Sequence, residues 1–312
     1  MKLVTYSPVA GDTPRPGLVV AGDGVIDIPA WVAPAADVDF STVLGIVRGG
    51  EAARRALDTL ASRAPGEAVP MDRVQLHAPI PRPVKNVFCV GWNYREHFEE
   101  GSMKLQDSRE LPRWPVFFTK APTAVTGPFD RVPFDASIST SLDWEAELGV
   151  VIGPGGKNIA PEDAMAHIWG YTVINDLSWR DLQRRHGGQW HKGKSLDGTC
   201  PMGPVLVTAD SLDPGNLRVT CRVNGVTKQD SNTRFLHFKL PRLVEELSLG
   251  MTLEAGDIVS SGTPPGVGFA RTPPEFLKPG DILETEIEGI GVMRNPIGGG
   301  PEGRRGFCQP AG

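Results

Sequence analysis

Glycine and proline recur so often along this chain, at 37 and 29 of its 312 residues, that few stretches can hold a long helix. Proline removes a backbone donor and clashes with the preceding turn, while glycine weakens any helix interior. From residue 84 onward the segments between these breaks are short and rich in β-branched and aromatic residues. Residues 87–91, 116–119, 142–152, 169–175, 205–208 and 217–223 read as strands, joined by 257–261 and 281–288, which each begin at a Gly-Asp turn. Asn224-Gly225 marks a type I′ hairpin turn. Helices are fewer, at 93–100, 178–186 and 240–249, the last closed by Gly250. A doubly wound fold would place a helix between most strand pairs. The chain therefore reads as mixed α/β, predominantly β, built on a folded-over mixed sheet.

Residues 1–78 differ in pattern, with strands at 2–6, 18–21 and 24–28 and one helix over 41–62, which reads as a small α/β cap. Alternating prolines in His77-Ala-Pro-Ile-Pro-Arg-Pro83 favour an extended linker and set the boundary with a larger domain over 79–297. The Gly-rich tail, 298–312, is expected to be disordered. The formal net charge of -5 comes from interspersed charges with no basic block, which argues against nucleic acid as a partner. No apolar run approaches the roughly 20 residues of a membrane span, and the first residues lack a signal-peptide core, so no membrane partner and a cytoplasmic location are expected. Cys89, Cys200, Cys221 and Cys308 are scattered without Cys-x-x-Cys, so they are expected to be reduced thiols.

The segment Leu142-Asp-Trp-Glu-Ala-Glu-Leu-Gly-Val150 alternates apolar and acidic residues. On a strand, Asp143, Glu145 and Glu147 share one face, and one reading is simply an acidic face in water. Asp176 ends the apolar run 171–175 just before a helix, where it could be a cap or a site residue. If the two strands are neighbours, Glu145, Glu147 and Asp176 converge. Like charges about 4 Å apart repel by roughly 4 kcal/mol at an effective dielectric near 20, so such a cluster needs protons or a cation. Oxygen ligands without cysteine suit Mg²⁺ or Mn²⁺, with Ca²⁺ a third candidate, better than Zn²⁺.

Several ordered motifs are similar to those of the fumarylacetoacetate hydrolase family: Asn86-Val-Phe-Cys-Val-Gly-Trp-Asn-Tyr94, Phe117-Phe-Thr-Lys-Ala-Pro122, Asp143-Trp-Glu-Ala-Glu-Leu148, Gly170-Tyr-Thr-Val-Ile-Asn-Asp176, Lys194-Ser-Leu-Asp-Gly-Thr-Cys-Pro201 and Ser261-Gly-Thr-Pro-Pro-Gly266. The resemblance spans about 84 to 297. It implies a mixed β-sandwich roll, a homodimer, a divalent metal on Glu145, Glu147 and Asp176, and an active-site lysine at Lys194 in what reads as an irregular loop. An ammonium beside the cation would neutralise charge developing on an enolate.

Within 93–100, Asn93 and Glu96 form a candidate helix cap, and His97 and Glu100 lie three apart on one face. A carboxylate on one ring nitrogen orients the imidazole and raises its basicity. The alternative is an exposed helical pair. In hydrolytic members of the family, the resemblance implies, this pair is the base. Residues 101–114 read as a lid over the substrate. Ser178-Trp-Arg-Asp181 reads as a capping box that projects Arg180 and Gln183 toward Asp176 as substrate binders, unless Arg180 is a surface residue. Thr263 could donate to a substrate oxygen or sit in a rigid turn.

These readings converge on a metal-dependent hydrolase that cleaves a carbon–carbon bond in a diketo acid such as an acylpyruvate, with water activated by His97 and Glu100 and the enolate stabilised by Lys194. The same metal and enolate chemistry without water attack gives an isomerase, decarboxylase or dehydratase. A non-catalytic protein with a solvated acidic face is the reading from another class. Neither dinucleotide nor P-loop glycine motifs occur.

Overall fold

The computed structural model describes residues 1–20, 22–33, 37–63, 68–105 and 110–298. Its strands are β1 (Lys2–Ser7), β2 (Arg15–Val20), β3 (Gly24–Asp27), β4 (Val69–Pro70), β5 (Gln75–His77), β6 (Val87–Gly91), β7 (Val116–Lys120), β8 (Val125–Thr126), β9 (Leu142–Asp143), β10 (Ala146–Ile152), β11 (Ile168–Asn175), β12 (Ser178–Trp179), β13 (Cys200–Thr208), β14 (Arg218–Val223), β15 (Val226–Asn232), β16 (Ile258–Ser260), β17 (Ile282–Ile287) and β18 (Gly291–Pro296). Its α-helices are α1 (Ile28–Trp31), α2 (Val43–Arg48), α3 (Gly50–Arg63), α4 (Arg95–Leu105), α5 (Arg180–Arg185), α6 (His191–Lys194) and α7 (Leu240–Ser248).

The large sheet runs β4-β3-β2-β1-β13-β11-β10-β16-β6-β7, with β5 added to β1 and β8 to β13. Its pairs are antiparallel except β16 with β6 and β13 with β8. A four-stranded sheet, β15-β14-β17-β18, packs on its middle, where Val173, Val205 and Val207 share a core with Val219, Cys221, Leu283, Ile287 and Met293. The opposite face is covered by α2 and α3 through Ile46, Val47, Ala53, Leu57 and Leu60. β10, β11 and β13 are thus buried on both faces along their whole length. That is why they read as nearly continuous apolar runs. The mixed, predominantly β class follows the sequence.

Boundaries depart from expectation where local backbone chemistry intervenes. The helix expected over 41–62 is two, because Gly50 takes φ +52 and turns the chain between α2 and α3. The strand expected over 142–152 is broken between β9 and β10, although both keep partners in register, Asp143 with Ser178 and Ala146 with Asn175. The segment expected as a helix from 178 begins as β12, and Ser178 donates to the Asp176 carbonyl instead of capping. β18 had no sequence signal beyond Gly and Pro breaks. The hairpin at Asn224-Gly225 forms with φ of +52 and +77. β1 pairs with β13, so the N-terminal strands extend the large sheet. Cys89, Cys200 and Cys221 are free and buried; the tail beyond 298, with Cys308, lies outside the described residues. Among the described residues, no helix is long and apolar enough to cross a membrane.

Candidate active site

Antiparallel register builds the centre. Glu145 and Glu147 are two residues apart and share a face, and the Ala146–Asn175 pairing sets Asp176 opposite Glu145, with the Asp176 N–H donating to the Glu145 carbonyl at 2.8 Å. One carboxylate oxygen from each of Glu145, Glu147 and Asp176 lies within 4.8 Å of the others, and all three side chains are buried. The expectation of an acidic face in water is overturned here: the face lies under the cover of neighbouring loops. Asp143 leaves the group. Its carboxylate accepts from the backbone N–H of Gly268 and Phe269 at 2.6 and 3.0 Å and from Arg180 Nε at 2.8 Å.

Cations already occupy part of the cluster's demand. Lys194 Nζ donates to Glu145 Oε2 at 2.7 Å and to Asp176 Oδ2 at 2.6 Å. Arg180 Nη2 lies 2.8 Å from Asp143 Oδ2 and 2.7 Å from Glu145 Oε1. Lys120, which sequence reading quoted only within a motif, is fully buried, donates to the Leu177 carbonyl and lies 2.9 Å from Asp176 Oδ1. The signal that could have found it is a lysine closing a β-type run, where burial demands an acidic partner. Glu147 instead accepts from Ser260 Oγ at 2.6 Å and the Gly262 N–H at 2.8 Å. Gly262 has φ +101, and a Cβ there would stand 2.6 Å from the Asn93 Cβ, so glycine is required.

The electrostatics differ from one carboxylate to the next. Burial opposes ionisation of Glu145, but Lys194 and Arg180 outweigh it and hold its pKa down at about 2. Burial raises Glu147 well above the usual range, reinforced by Asp176 and Glu145. Burial would lower Lys194, but Asp176 and Glu145 raise it, so it stays an ammonium. Fully ionised, Asp143, Glu145, Glu147 and Asp176 outnumber Lys120, Arg180 and Lys194 by four charges to three. A proton on Glu147 balances that count, and a bound divalent cation turns the deficit of one into a surplus of one. Asp176 Oδ1 is buried and receives no aligned hydrogen bond despite the nearby Lys120, which leaves a lone pair for a ligand. The all-oxygen donor set fits a hard divalent ion.

A cavity of about 490 Å³ opens on this cluster, lined by Glu145, Glu147, Arg180, Gln183, Lys194, Thr263 and His97 among others. His97 is 6% exposed, and its Nδ1 lies 2.8 Å from Glu100 Oε1. Glu100 Oε2 accepts from the Gly266 N–H at 2.9 Å, so the pair is pinned from a second loop and is not an exposed helical pair. The cap expected before it does not form. The Asn93 side chain spans away to the Phe238 N–H and to the carbonyls of Phe238 and Ser261, and Glu96 is exposed. Arg180 is buried, which removes its surface reading, and Gln183 accepts from it at 3.2 Å. Thr263 Oγ1 donates to the Ala146 carbonyl and accepts from Gln229. Lys194 ends the one-turn α6, not an irregular loop. Of the lid expected over 101–114, residues 101–105 complete α4, with Gly101, Ser102 and Leu105 in the cavity wall, and 106–109 lie outside the described residues.

Residues 86–298 match the family profile of the fumarylacetoacetate (FAA) hydrolase C-terminal region. The chain belongs to the fumarylacetoacetate hydrolase family. Within it, the chain is 48% identical over 229 residues to oxaloacetate tautomerase YisK of Bacillus subtilis, covering 73% of this chain and 74% of that one. It is 43% identical over 306 residues to mitochondrial oxaloacetate tautomerase FAHD2A of Bos taurus, covering 95% and 91%. Among solved structures, maleylpyruvate hydrolase from Sphingobium sp. SYK-6 in complex with manganese(II) and pyruvate superposes with a TM-score of 0.75 at 28% identity, covering 96% of this chain and 99% of that one. The mixed β roll is the family's fold, and the protein is an enzyme of that family.

Proposed function

We propose that this enzyme interconverts the enol and keto forms of a 2-oxo dicarboxylic acid such as oxaloacetate, using Mg²⁺ or Mn²⁺ held by Glu145, Glu147 and Asp176. The observation that carries the reading is that His97, held by Glu100, lines the same cavity as Lys194, Glu145 and Glu147. The names of the relatives, oxaloacetate tautomerases at 48% and 43% identity, support isomerase chemistry over carbon–carbon hydrolysis. When bound, the cation supplies Lewis acidity toward the oxo group and its neighbouring carboxylate. With it the four acids would face five positive charges, which favours an anionic substrate.

The chain's own groups handle the proton. Glu100, fixed by the Gly266 N–H, orients the His97 ring through Nδ1 and leaves Nε2 to take a proton from the carbon next to the oxo group. The electron pair moves onto the oxo oxygen, where the Lys194 ammonium stabilises it. Return of that proton to the oxygen completes the enol, and the reverse gives the keto acid, with no further reactant. Arg180 and Gln183 hold the wall against which the substrate lies.

A second reading keeps water as nucleophile, with His97 activating it for cleavage of a diketo acid. The similarity to maleylpyruvate hydrolase favours it. The test follows enol absorbance of oxaloacetate with Mn²⁺ and enzyme against Mn²⁺ alone, and in parallel acid release from acylpyruvates. Faster enol decay that falls by about 10²–10⁴ in His97→Asn supports the tautomerase. No acceleration over the metal blank refutes it, and acylpyruvate cleavage instead would establish the hydrolase.

A further inference from the structure

Among the described residues, the basic side chains lining the cavity are all engaged by acids except one. Lys194 is held by Glu145 and Asp176, Arg180 by Asp143 and Glu145, and the His97 ring by Glu100. Arg184 lies one turn after Arg180 on α5 and lines the same cavity, with no acidic partner among the described residues. The next residue, Arg185, does have one, 3.9 Å away at Asp181. What positions Arg184 is an aromatic ring: its guanidinium lies 5.2 Å from the centre of Phe269, which also carries Arg180 at 4.5 Å. Phe269 is fixed in turn by its N–H bond to Asp143. Two guanidiniums are thus held on one ring, and only the inner one has its charge met. Arg184 is exposed where it lines the cavity, and desolvation and the repulsion of Arg180 both push its pKa down.

We propose that Arg184 receives the second carboxylate of a dicarboxylic 2-oxo acid, and so sets a preference for dicarboxylic over monocarboxylic substrates. This rests on the reading that the 2-oxo acid end lies at the carboxylate cluster. A planar guanidinium presents paired donors to a carboxylate, and at the cavity wall it can do so without abandoning Phe269. Arg180 cannot take this role without depriving the buried Asp143 of its charged partner and leaving Glu145 with Lys194 alone.

The experiment is titration calorimetry of the Mn²⁺-loaded protein with pyruvate and with 2-oxoglutarate, in wild type, Arg184→Gln and Arg184→Lys. Wild type is expected to bind 2-oxoglutarate about tenfold more tightly than pyruvate. Arg184→Gln is expected to bring the two affinities together by weakening only the dicarboxylate, and Arg184→Lys to keep part of the difference. Equal affinities in wild type overturn the proposal. So does a preference that survives Arg184→Gln, an equal loss for both ligands, or failure of both to bind. Turnover separates this inference from the reaction assigned above. In an active enzyme Arg184→Gln raises KM for oxaloacetate more than it lowers kcat. If oxaloacetate is not turned over but the calorimetric difference holds, the tautomerase reading fails and the carboxylate subsite stands.

Discussion

Residues 143–148 (Asp-Trp-Glu-Ala-Glu-Leu) and 283–287 (Leu-Glu-Thr-Glu-Ile) carry the same alternation of acidic and non-acidic residues, the first across the break between β9 and β10 and the second within β17. In the first, Glu145 and Glu147 are 5% and 2% exposed and sit among Lys194, Arg180, Ser260 and the Gly262 N–H. In the second, Glu284 and Glu286 remain half-exposed and meet Arg222 at 3.1 and 2.8 Å across the outer face of the small sheet. The pattern fixes which side chains share a face; what covers that face is decided elsewhere in the chain. β17 buries one face against the large sheet and leaves the other to water. β10 lies mid-sheet with loops from 260–269 closed over its acidic side.

The sharpest way to break this contrast is to remove one cation from each side. In chelator-treated protein, Lys194→Met leaves Glu145 and Asp176 buried with a lost partner and is expected to cost about 3–5 kcal/mol in urea unfolding. Arg222→Met is expected to cost no more than about 1 kcal/mol, because water can replace it. Equal costs would mean that the buried charges are not interdependent.

Metal removal sharpens the same comparison at smaller scale. Adding Mn²⁺ at a hundred times its dissociation constant to stripped protein is expected to add about 2.7 kcal/mol of stability, read as a rise in Tm. Glu147→Gln is expected to lose most of that rise, and the pair Glu284→Gln, Glu286→Gln to keep it.

The grouping of the carboxylates was legible in the sequence, while the strand pairing that joins them entered only as a condition. Alternation grouped Glu145 with Glu147, and the end of an apolar run marked Asp176; the pairing of β10 with β11 does the rest. The His97–Glu100 contact was legible as helical spacing. What sequence could not carry were partners set by long-range closure: Lys120 on the Leu177 carbonyl beside Asp176, Ser260 on Glu147 and the Gly266 N–H on Glu100 come from segments 57, 113 and 166 residues away. Local signals also misled where tertiary bonds competed for the same groups. Asn93 and Ser178 are good caps by type, yet each bonds elsewhere. Asp143 shared the acidic alternation but turned to Arg180 at the break between β9 and β10.

The smallest effect concerns pH on the exposed side. Arg218 beside Asp230 holds that carboxyl below its ordinary value. A lowered folded-state pKa stabilises above the unfolded value and is lost as pH falls through the folded one. Asp230→Asn is therefore expected to lower Tm slightly at pH 7, with the difference fading below about pH 4 and in high salt, as screening requires. A difference that persists at low pH would assign it to packing instead of charge.

The whole account turns on three buried carboxylates forming a seat for a dipositive ion beside Lys194. Crystals of the protein soaked in Mn²⁺, with diffraction collected at the manganese edge, test this directly. The predicted result is one anomalous peak per chain among Glu145, Glu147 and Asp176, absent from Glu147→Gln crystals. A map with no peak there, and with Lys194 still bridging Glu145 and Asp176, would contradict it.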